Sequence, residues 1–212
     1  MQWVIIANIF INNLEYILFK IVFKNILLLN NIMSLIDKLN KLPHSVEGHW
    51  SISHKQIVEV IKQLNIKSML EIGFNTGYSA TMFLEILDLD KFFSIDIGIH
   101  NHVSPLYKLF KDNYKDRFEY LIENSLNIRN TYLNNIKYDL IFIDGSHKYE
   151  LALNDLLFCI EPKKTKYILL DDTGGASPGV TKLLNYIKSK GYKLNKMIEW
   201  KIGAGAILYE VN

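Results

Sequence analysis

Short apolar runs, rich in β-branched and aromatic residues, alternate along most of this chain with segments of helical length. The runs SMLEI, FFSID, FEYLI, DLIFID and YILLD occupy residues 68–72, 92–96, 118–122, 139–144 and 167–171. Strands that alternate with helices are typical of a parallel sheet covered on both faces. The alternation therefore predicts an α/β fold of the Rossmann-like type.

Two further apolar runs near the C-terminus have no helix between them. The runs KLNKMIEW, at 193–200, and AILYEV, at 206–211, are joined by the short segment KIGAG. Antiparallel strands can be joined by a tight turn, whereas parallel strands need a long crossover connection. We therefore expect a mostly parallel, seven-stranded sheet whose last strand is antiparallel, with helices on both faces.

Composition supports one globular domain and argues against several kinds of partner. Of the 212 residues, 49% are hydrophobic, which is enough for a substantial core, and the formal net charge is +2. Arg117 and Arg129 are the only arginines and form no basic stripe, so we expect no nucleic-acid partner. The single cysteine, Cys159, excludes an internal disulfide and a cysteine-based zinc cluster.

Residues 1–32 differ from the rest of the chain, because they are rich in Ile, Leu, Phe and Asn. A membrane span needs about 20 mostly apolar residues, and Glu15, Lys20 and Lys24 interrupt every such window. No secretory pattern is present, so a cytoplasmic location is expected. Three interpretations of the segment stay open: an amphipathic helix on the domain or on a membrane surface, a marginal span, or a translated leader before a natural start at Met33. A single domain is expected over residues 33–212.

The first apolar run continues into EIGFNTGYS, where two glycines frame a turn before a helix. Gly73 and Gly77 would let the backbone approach a ligand closely, and ligands of such sheets bind beyond the carboxyl ends of the strands. The pattern differs from a dinucleotide-binding loop, since Asn75 and Thr76 stand where small residues would seat a pyrophosphate. The loop therefore suits a ligand without a diphosphate.

Polar residues also end the next two runs. Asp96 closes the second run, at a position where an acidic residue typically binds ribose hydroxyls. Asn124 and Ser125 follow the third run and could bind an edge of adenine. Each residue alone could instead cap a turn or a helix, but together they indicate a nucleoside site.

Three carboxylates follow the fourth and fifth runs. Asp144 closes the fourth run and Asp171 closes the fifth, with Asp172 directly after it. Adjacent parallel strands lie about 4.8 Å apart, so these carboxylates would repel one another unless a cation joined them. Oxygen ligands with open positions suit Mg²⁺, with Mn²⁺ or Ca²⁺ as alternatives.

The segments EIGFNTG and ENS, the acidic Asp96 and the reversed last strand resemble the class I S-adenosylmethionine-dependent methyltransferases, from about Val46 to the C-terminus. The resemblance implies that Gly73 and its neighbours contact the methionine part of S-adenosylmethionine, Asp96 the ribose, and Asn124 and Ser125 the adenine. The full set expected to bind the cofactor is Glu71, Gly73, Asn75, Gly77, Ser79, Asp96, Asn124, Ser125 and Asp144.

The pattern D-G-S-H followed by D-D resembles the metal-dependent O-methyltransferase branch, and the macrocin type more closely than the catechol type. That resemblance implies Asp144, Asp171 and Asp172 as metal ligands. It also implies His147 as the general base, because macrocin-type enzymes carry a histidine three residues after the first metal aspartate. Catechol-type enzymes have a lysine there, so Lys148, one position later, is the second candidate. His147 could instead cap the following helix.

The resemblance implies a metal-dependent O-methyltransferase that acts on a hydroxyl of a sugar-containing or phenolic small molecule. One alternative is a catalytically inactive S-adenosylmethionine-binding protein, against which the acidic residues and His147 argue. Another is a dinucleotide-dependent oxidoreductase, against which the missing diphosphate loop argues.

Two loops are expected around the site. His44, His49 and His54 match no known zinc spacing, and their loop is expected to pack over the cofactor, with Trp50 and Ser51 as contacts. Residues 173–180, TGGASPGV, are expected to form a mobile loop on the substrate side.

Overall fold

The computed structural model describes residues 37, 38, 41, 52–160 and 164–212. The chain divides into two compact units, residues 1–41 and 42–212. The predictions for the leader, for a domain start at Met33 and for Trp50 and Ser51 lie outside the described residues. None of the described helices is both long and apolar enough to cross a membrane.

Five α-helices and seven β-strands are described in residues 52–160 and 164–212. In chain order they are α1 (Lys55–Ile61), β1 (Ser68–Ile72), α2 (Tyr78–Ile86), β2 (Lys91–Asp96), α3 (Val103–Tyr114), β3 (Phe118–Ile122), β4 (Tyr138–Ile143), α4 (Tyr149–Ile160), β5 (Thr165–Asp171), α5 (Pro178–Lys190), β6 (Leu194–Trp200) and β7 (Ala206–Val211). Two short 3-10 helices, Ser125–Asn130 and Tyr132–Asn135, connect β3 to β4 in place of an α-helix. Every strand falls within two residues of an apolar run identified in the sequence.

The strands form one sheet in the order β3-β2-β1-β4-β5-β7-β6. Strands β1 to β5 are parallel, whereas β7 is antiparallel to both of its neighbours, β5 and β6. The predicted Rossmann-like α/β fold with an antiparallel last strand is therefore confirmed. Strand β1 lies between β2 and β4, and this reversal of strand order opens a crevice at the carboxyl ends of the three strands.

An aromatic cluster on one face of the sheet supports the loop after β1. Phe74, the second residue of that loop, packs on Tyr107, Phe110 and Phe118, with ring centroids 4.3, 5.0 and 6.2 Å away. Tyr107 and Phe110 lie on α3, and Phe118 begins β3. Buried aromatic pairs stabilise beyond the area that they bury, so this cluster holds the β1 loop against the sheet.

A close backbone contact joins the ends of β1 and β4. Gly73 has a φ of +96°, and a Cβ added there would lie 2.0 Å from the carbonyl oxygen of Asp144. The amide of Gly73 donates to Ile95 O at 2.9 Å, and the amide of Asp144 donates to Ile72 O at 2.9 Å. Only glycine fits this position, because both the conformation and the space exclude a side chain.

Alanine at Gly73 should destabilise the fold more than alanine at Gly175, which is a matched control. Both glycines have a left-handed backbone conformation, with φ of +96° and +93°. A Cβ on Gly175, however, would meet no atom within 4 Å. Left-handed strain should cost about 1–2 kcal/mol in both variants, and the backbone collision should add about 1–3 kcal/mol at Gly73. Urea-induced unfolding measures both losses, and equal losses would contradict the close contact.

Candidate active site

A cavity of about 810 Å³ opens at the carboxyl ends of β1, β2, β4 and β5. Its volume is in the range of small-molecule sites. From the predicted cofactor, metal and catalytic sets, the residues that line it are Gly73, Asn75, Ser79, Asp96, Asn124, Ser125, Asp144, His147, Asp171 and Asp172. The fold thus brings together most of the residues predicted from the strand ends, and only Glu71 and Gly77 lie behind the wall.

Glu71 is fully buried behind the cavity wall. Its Oε1 accepts a hydrogen bond from Ser79 Oγ at 2.5 Å, and its Oε2 accepts one from Ser94 Oγ at 3.1 Å. Ser94 also shares a hydrogen bond of 3.0 Å with the Tyr107 hydroxyl. Burial raises the pKa of Glu71 to about 8, although the two serine hydrogen bonds oppose the shift. Glu71 therefore holds Ser79, which lines the cavity.

Gly77 shapes the turn into α2 from the same side. It has a φ of +76°, and a Cβ there would lie 2.8 Å from the Phe110 ring and 2.9 Å from the Phe74 ring. Its amide donates to Phe74 O at 2.8 Å. Glycine at this position lets the aromatic cluster close beneath the loop.

Asp96 binds backbone amides of two loops. Its Oδ2 accepts from the amides of Phe74 and Asn75, at 2.9 and 3.1 Å, and its Oδ1 accepts from the amide of Gly98 at 2.7 Å. Sequence patterns predicted contact with ribose but not this role. A carboxylate has about four acceptor positions, so a position remains for one hydroxyl. Asp96 therefore joins the loop after β1 to the end of β2.

The segment after β3 carries polar groups that cap a 3-10 helix and line the cavity. The Asn124 side chain accepts from the amide of Leu126 at 3.0 Å and caps the 3-10 helix Ser125–Asn130. The Ser125 carbonyl accepts from Asn154 Nδ2 at 3.2 Å. Burial raises the pKa of Asp155 of α4 to about 6, although the proximity of the Ser125 hydroxyl helps to lower it. Asp155 was not predicted as a site residue, since nothing in the sequence shows which face of α4 meets this segment.

Asp144, His147 and Asp172 meet at the edge of the cavity. One possible ligand atom from each lies within 4.8 Å of the others, and His147 Nε2 is 2.5 Å from Asp172 Oδ2. Burial raises the pKa of Asp144 well above its usual range, and the charges of Asp171 and Asp172 raise it further. The predicted metal set named Asp171 rather than His147. Asp171 lines the same cavity but is outside the group that meets within 4.8 Å.

The first turn of α5 packs closely against the backbone of His147. A Cβ on Gly179 would lie 2.0 Å from the His147 carbonyl oxygen and 2.7 Å from the Tyr149 amide. The His147 side chain remains 55% exposed, so it is accessible from the cavity. Lys148, the second candidate for a base, is exposed and is not among the residues found to line the cavity.

His54 lines the cavity, although only Trp50 and Ser51 were predicted as contacts from its loop. It is 7% exposed and lines the cavity, and a Cβ on Gly203 would lie 2.7 Å from its Nε2. The histidine stands next to α1, so its place beside the β6–β7 turn depends on tertiary contacts. In the sequence, only Gly203 and Gly205 indicate that another segment of the chain packs closely against this turn.

The loop predicted to be mobile, residues 173–180, is hydrogen-bonded to the same β6–β7 turn. The amide of Thr173 donates to Gly205 O at 3.1 Å, and the amide of Gly174 donates to Ala204 O at 2.6 Å. Helix α5 begins within the loop, at Pro178. Gly203 and Ala204 of the β6–β7 turn line the cavity, whereas residues 173–180 are not among the residues found to line it.

Comparisons with known proteins agree with this geometry. A family model described as a methyltransferase domain matches residues 70–173. This segment runs from β1 to just past β5 and includes every residue of the predicted cofactor, metal and catalytic sets. In a search of curated protein sequences, none matched the chain significantly.

Several solved structures share the fold. The S-adenosylhomocysteine-bound methyltransferase PaMTH1 of Podospora anserina has a TM-score of 0.67 and 14% identity over 86% of this chain and 88% of that chain. An O-methyltransferase of Bacillus cereus in complex with S-adenosylhomocysteine has a TM-score of 0.59 and 18% identity over 86% and 91%. The O-methyltransferase TomG of Streptomyces achromogenes, in complex with S-adenosylmethionine, has a TM-score of 0.61 and 15% identity over 77% and 82%.

The structural matches have low sequence identity and bear on the fold, whereas the family model bears on the activity. The family model argues against the dinucleotide-dependent oxidoreductase considered from the sequence. The strand order, the cavity at the switch point and the methyltransferase model together show that this chain belongs to the class I S-adenosylmethionine-dependent methyltransferases.

Proposed function

We propose that the chain is an O-methyltransferase, assisted by a divalent metal, that methylates a hydroxyl of a sugar-containing or phenolic small molecule. The observation that carries the proposal is the meeting of Asp144, His147 and Asp172 within 4.8 Å at the cavity edge. Two of the similar solved structures are O-methyltransferases by name, which supports oxygen as the acceptor atom.

S-adenosylmethionine supplies the methyl group when it is bound. Its methionine part would lie against Gly73 and Ser79, its ribose against Asp96 and its adenine beside Ser125, since these residues line one cavity in that order along the sheet edge. The free acceptor position of Asp96 fits a ribose hydroxyl. The absence of a side chain at Gly73 keeps the wall open for close approach.

The carboxylates at the cavity edge suit a divalent cation. Burial and then repulsion from Asp171 and Asp172 raise the pKa of Asp144, and a cation held by these three residues would remove that repulsion. Mg²⁺ fits an oxygen-rich set, and Mn²⁺ or Ca²⁺ are alternatives. A divalent cation bound here would lower the pKa of an acceptor hydroxyl and orient it.

His147 fits the role of general base. When Nε2–H donates to Asp172, Nδ1 carries the lone pair that can accept a proton from the acceptor hydroxyl. The carboxylate of Asp172 then stabilises the imidazolium that forms. Bound S-adenosylmethionine would supply the methyl group to the acceptor oxygen that His147 deprotonates, with S-adenosylhomocysteine as the other product.

The acceptor would occupy the end of the cavity beside His147. That end is bounded by His54 and by Ala204 of the β6–β7 turn. Imidazole and backbone groups can hydrogen-bond further hydroxyls of a sugar or phenol.

Asp96→Asn should weaken binding of S-adenosylmethionine at least about tenfold, because charge-assisted hydrogen bonds contribute about 1.5–3 kcal/mol each. Isothermal titration calorimetry measures the affinity, and thermal unfolding shows whether the loops held by Asp96 persist. Asp90→Asn, an exposed carboxylate at the other end of β2, is the matched control and should leave affinity unchanged. An unaltered dissociation constant in Asp96→Asn would remove Asp96 from the cofactor site.

Chelation with EDTA should abolish methyl transfer and leave cofactor affinity nearly intact, because the cation would contact the acceptor rather than the adenosine. Asp144→Asn and Asp172→Asn should each mimic chelation. Turnover is measured with a panel of hydroxylated acceptors, and metal binding by titration with Mn²⁺ under electron paramagnetic resonance. Glu150→Gln, an exposed carboxylate in the first turn of α4, is the control. Full activity in EDTA would refute the metal site.

His147→Ala should keep its affinity for the metal but lose turnover by about 10²–10⁴-fold. The loss should shrink as pH rises, because the acceptor then ionises without help from a base. Rates measured across a pH series test this. A loss of Mn²⁺ affinity would make His147 a ligand, and unchanged turnover would place the base elsewhere, with Lys148 as the next residue to test.

A further inference from the structure

The wall of the cavity is strongly acidic. The carboxylates that line it are Asp96, Glu123, Asp144, Asp171 and Asp172. Neither a lysine nor an arginine is among the described residues that line it. The chain as a whole has a formal net charge of +2, so the negative charge is a local property of the cavity and does not reflect the overall composition.

Lysines that are close to the cavity in the sequence or in the fold do not line it. The Nζ of Lys55, at the start of α1, lies 2.8 Å from Glu59 Oε1. The Nζ of Lys182, on α5, lies over the Tyr149 ring, 4.0 Å from its centroid. Lys148 is exposed and is not among the residues found to line the cavity. In the described part of the chain, the carboxylates therefore set the charge of the cavity wall.

The proposed cofactor and metal do not neutralise this charge. S-adenosylmethionine has a single net positive charge at neutral pH, and a divalent cation adds two, which leaves two of the five negative charges of the wall uncompensated. Burial and the charges of Asp171 and Asp172 raise the pKa of Asp144, so Asp144 is the first to lose its charge when no cation is bound. The other four carboxylates still outweigh the charge of the cofactor.

Most of the negative charge lies at the acceptor end of the cavity. Asp144, Asp171 and Asp172 stand at the ends of the neighbouring strands β4 and β5. Asp96 and Glu123 stand at the ends of β2 and β3, on the other side of β1. A cleft lined by charges of one sign focuses their field on the ligand inside it, so an acceptor bound beside the edge carboxylates experiences a negative potential.

We propose that the acceptor is a hydroxylated amine, whose ammonium group is attracted by the uncompensated carboxylates, and that the cavity rejects acceptors with a carboxylate or phosphate group. The inference rests on the proposed function and narrows its sugar-containing or phenolic acceptors to amino sugars and phenolic amines. An anionic acceptor would lie among like charges, with no described lysine or arginine on the wall to compensate it.

The test compares acceptors that differ only in charge, with the full chain, S-adenosylmethionine and Mg²⁺. Dopamine, hydroxytyrosol and dihydrocaffeate share a catechol ring and an ethyl arm that ends in an ammonium, a hydroxyl or a carboxylate. The methyl glycosides of glucosamine, glucose and glucuronic acid form the corresponding sugar series. In the series that is methylated, kcat/KM for the amine should exceed that for the acid at least about 100-fold, with the neutral compound between them.

A charge introduced at the acceptor end tests whether the preference is electrostatic. Ala204 is exposed and lines that end of the cavity. Ala204→Lys should lower the ratio of amine to acid at least about tenfold, because its ammonium offsets part of the negative charge. Ala204→Gln, whose side chain is of similar polarity but uncharged, is the matched control and should leave the ratio unchanged. Titrations with Mn²⁺ and S-adenosylhomocysteine show whether either variant alters the metal or the cofactor site.

Equal efficiencies for the amine and the acid, or a preference for the acid, would overturn the inference and leave O-methyl transfer standing. Equal changes of the ratio in Ala204→Lys and Ala204→Gln would also overturn it, because the preference would then not depend on charge. A chain that binds S-adenosylmethionine but methylates no member of either series would overturn the proposed acceptor class together with the inference.

Discussion

The close contact between Gly73 and Asp144 joins the two central strands, and the rest of the site depends on it. Because β1 lies between β2 and β4, this contact brings the loop after β1, the carboxylate of Asp96 and the edge carboxylates to one crevice. A Cβ at Gly73 would collide with the Asp144 backbone. The contact therefore ties the glycine of the cofactor loop to the first acid of the proposed metal site.

Polar groups around the crevice act in two layers. The inner layer lines the cavity, and the outer layer, which includes Glu71 and Asp155, is almost entirely buried. Glu71 of the outer layer holds Ser79 of the inner layer through a hydrogen bond. A carboxylate without solvent is costly, but it orients a hydroxyl in a single direction. The aromatic cluster around Phe74 supplies the apolar burial that stabilises this arrangement.

The strands and the site-bearing strand ends followed from sequence patterns, because buried strands need continuous apolar runs and parallel strands place their carboxyl ends at one edge. The roles of individual residues did not follow as well. Asp96 holds three backbone amides, and backbone donors leave no signal in the side-chain pattern. His54 and Asp155 were not predicted as site residues, because each lies next to cavity residues from elements that are distant in the chain.

The sequence by itself determined the alternation of strands and helices, the reversed last strand and the set of acids at the strand ends, since these depend on local periodicity and connection length. Only the tertiary structure decided that β7 inserts between β5 and β6, and that ligand atoms of Asp144, His147 and Asp172 come within 4.8 Å of one another. It also decided which carboxylates face the cavity and which stand behind it. These outcomes depend on packing between elements far apart in the chain, which local patterns do not encode.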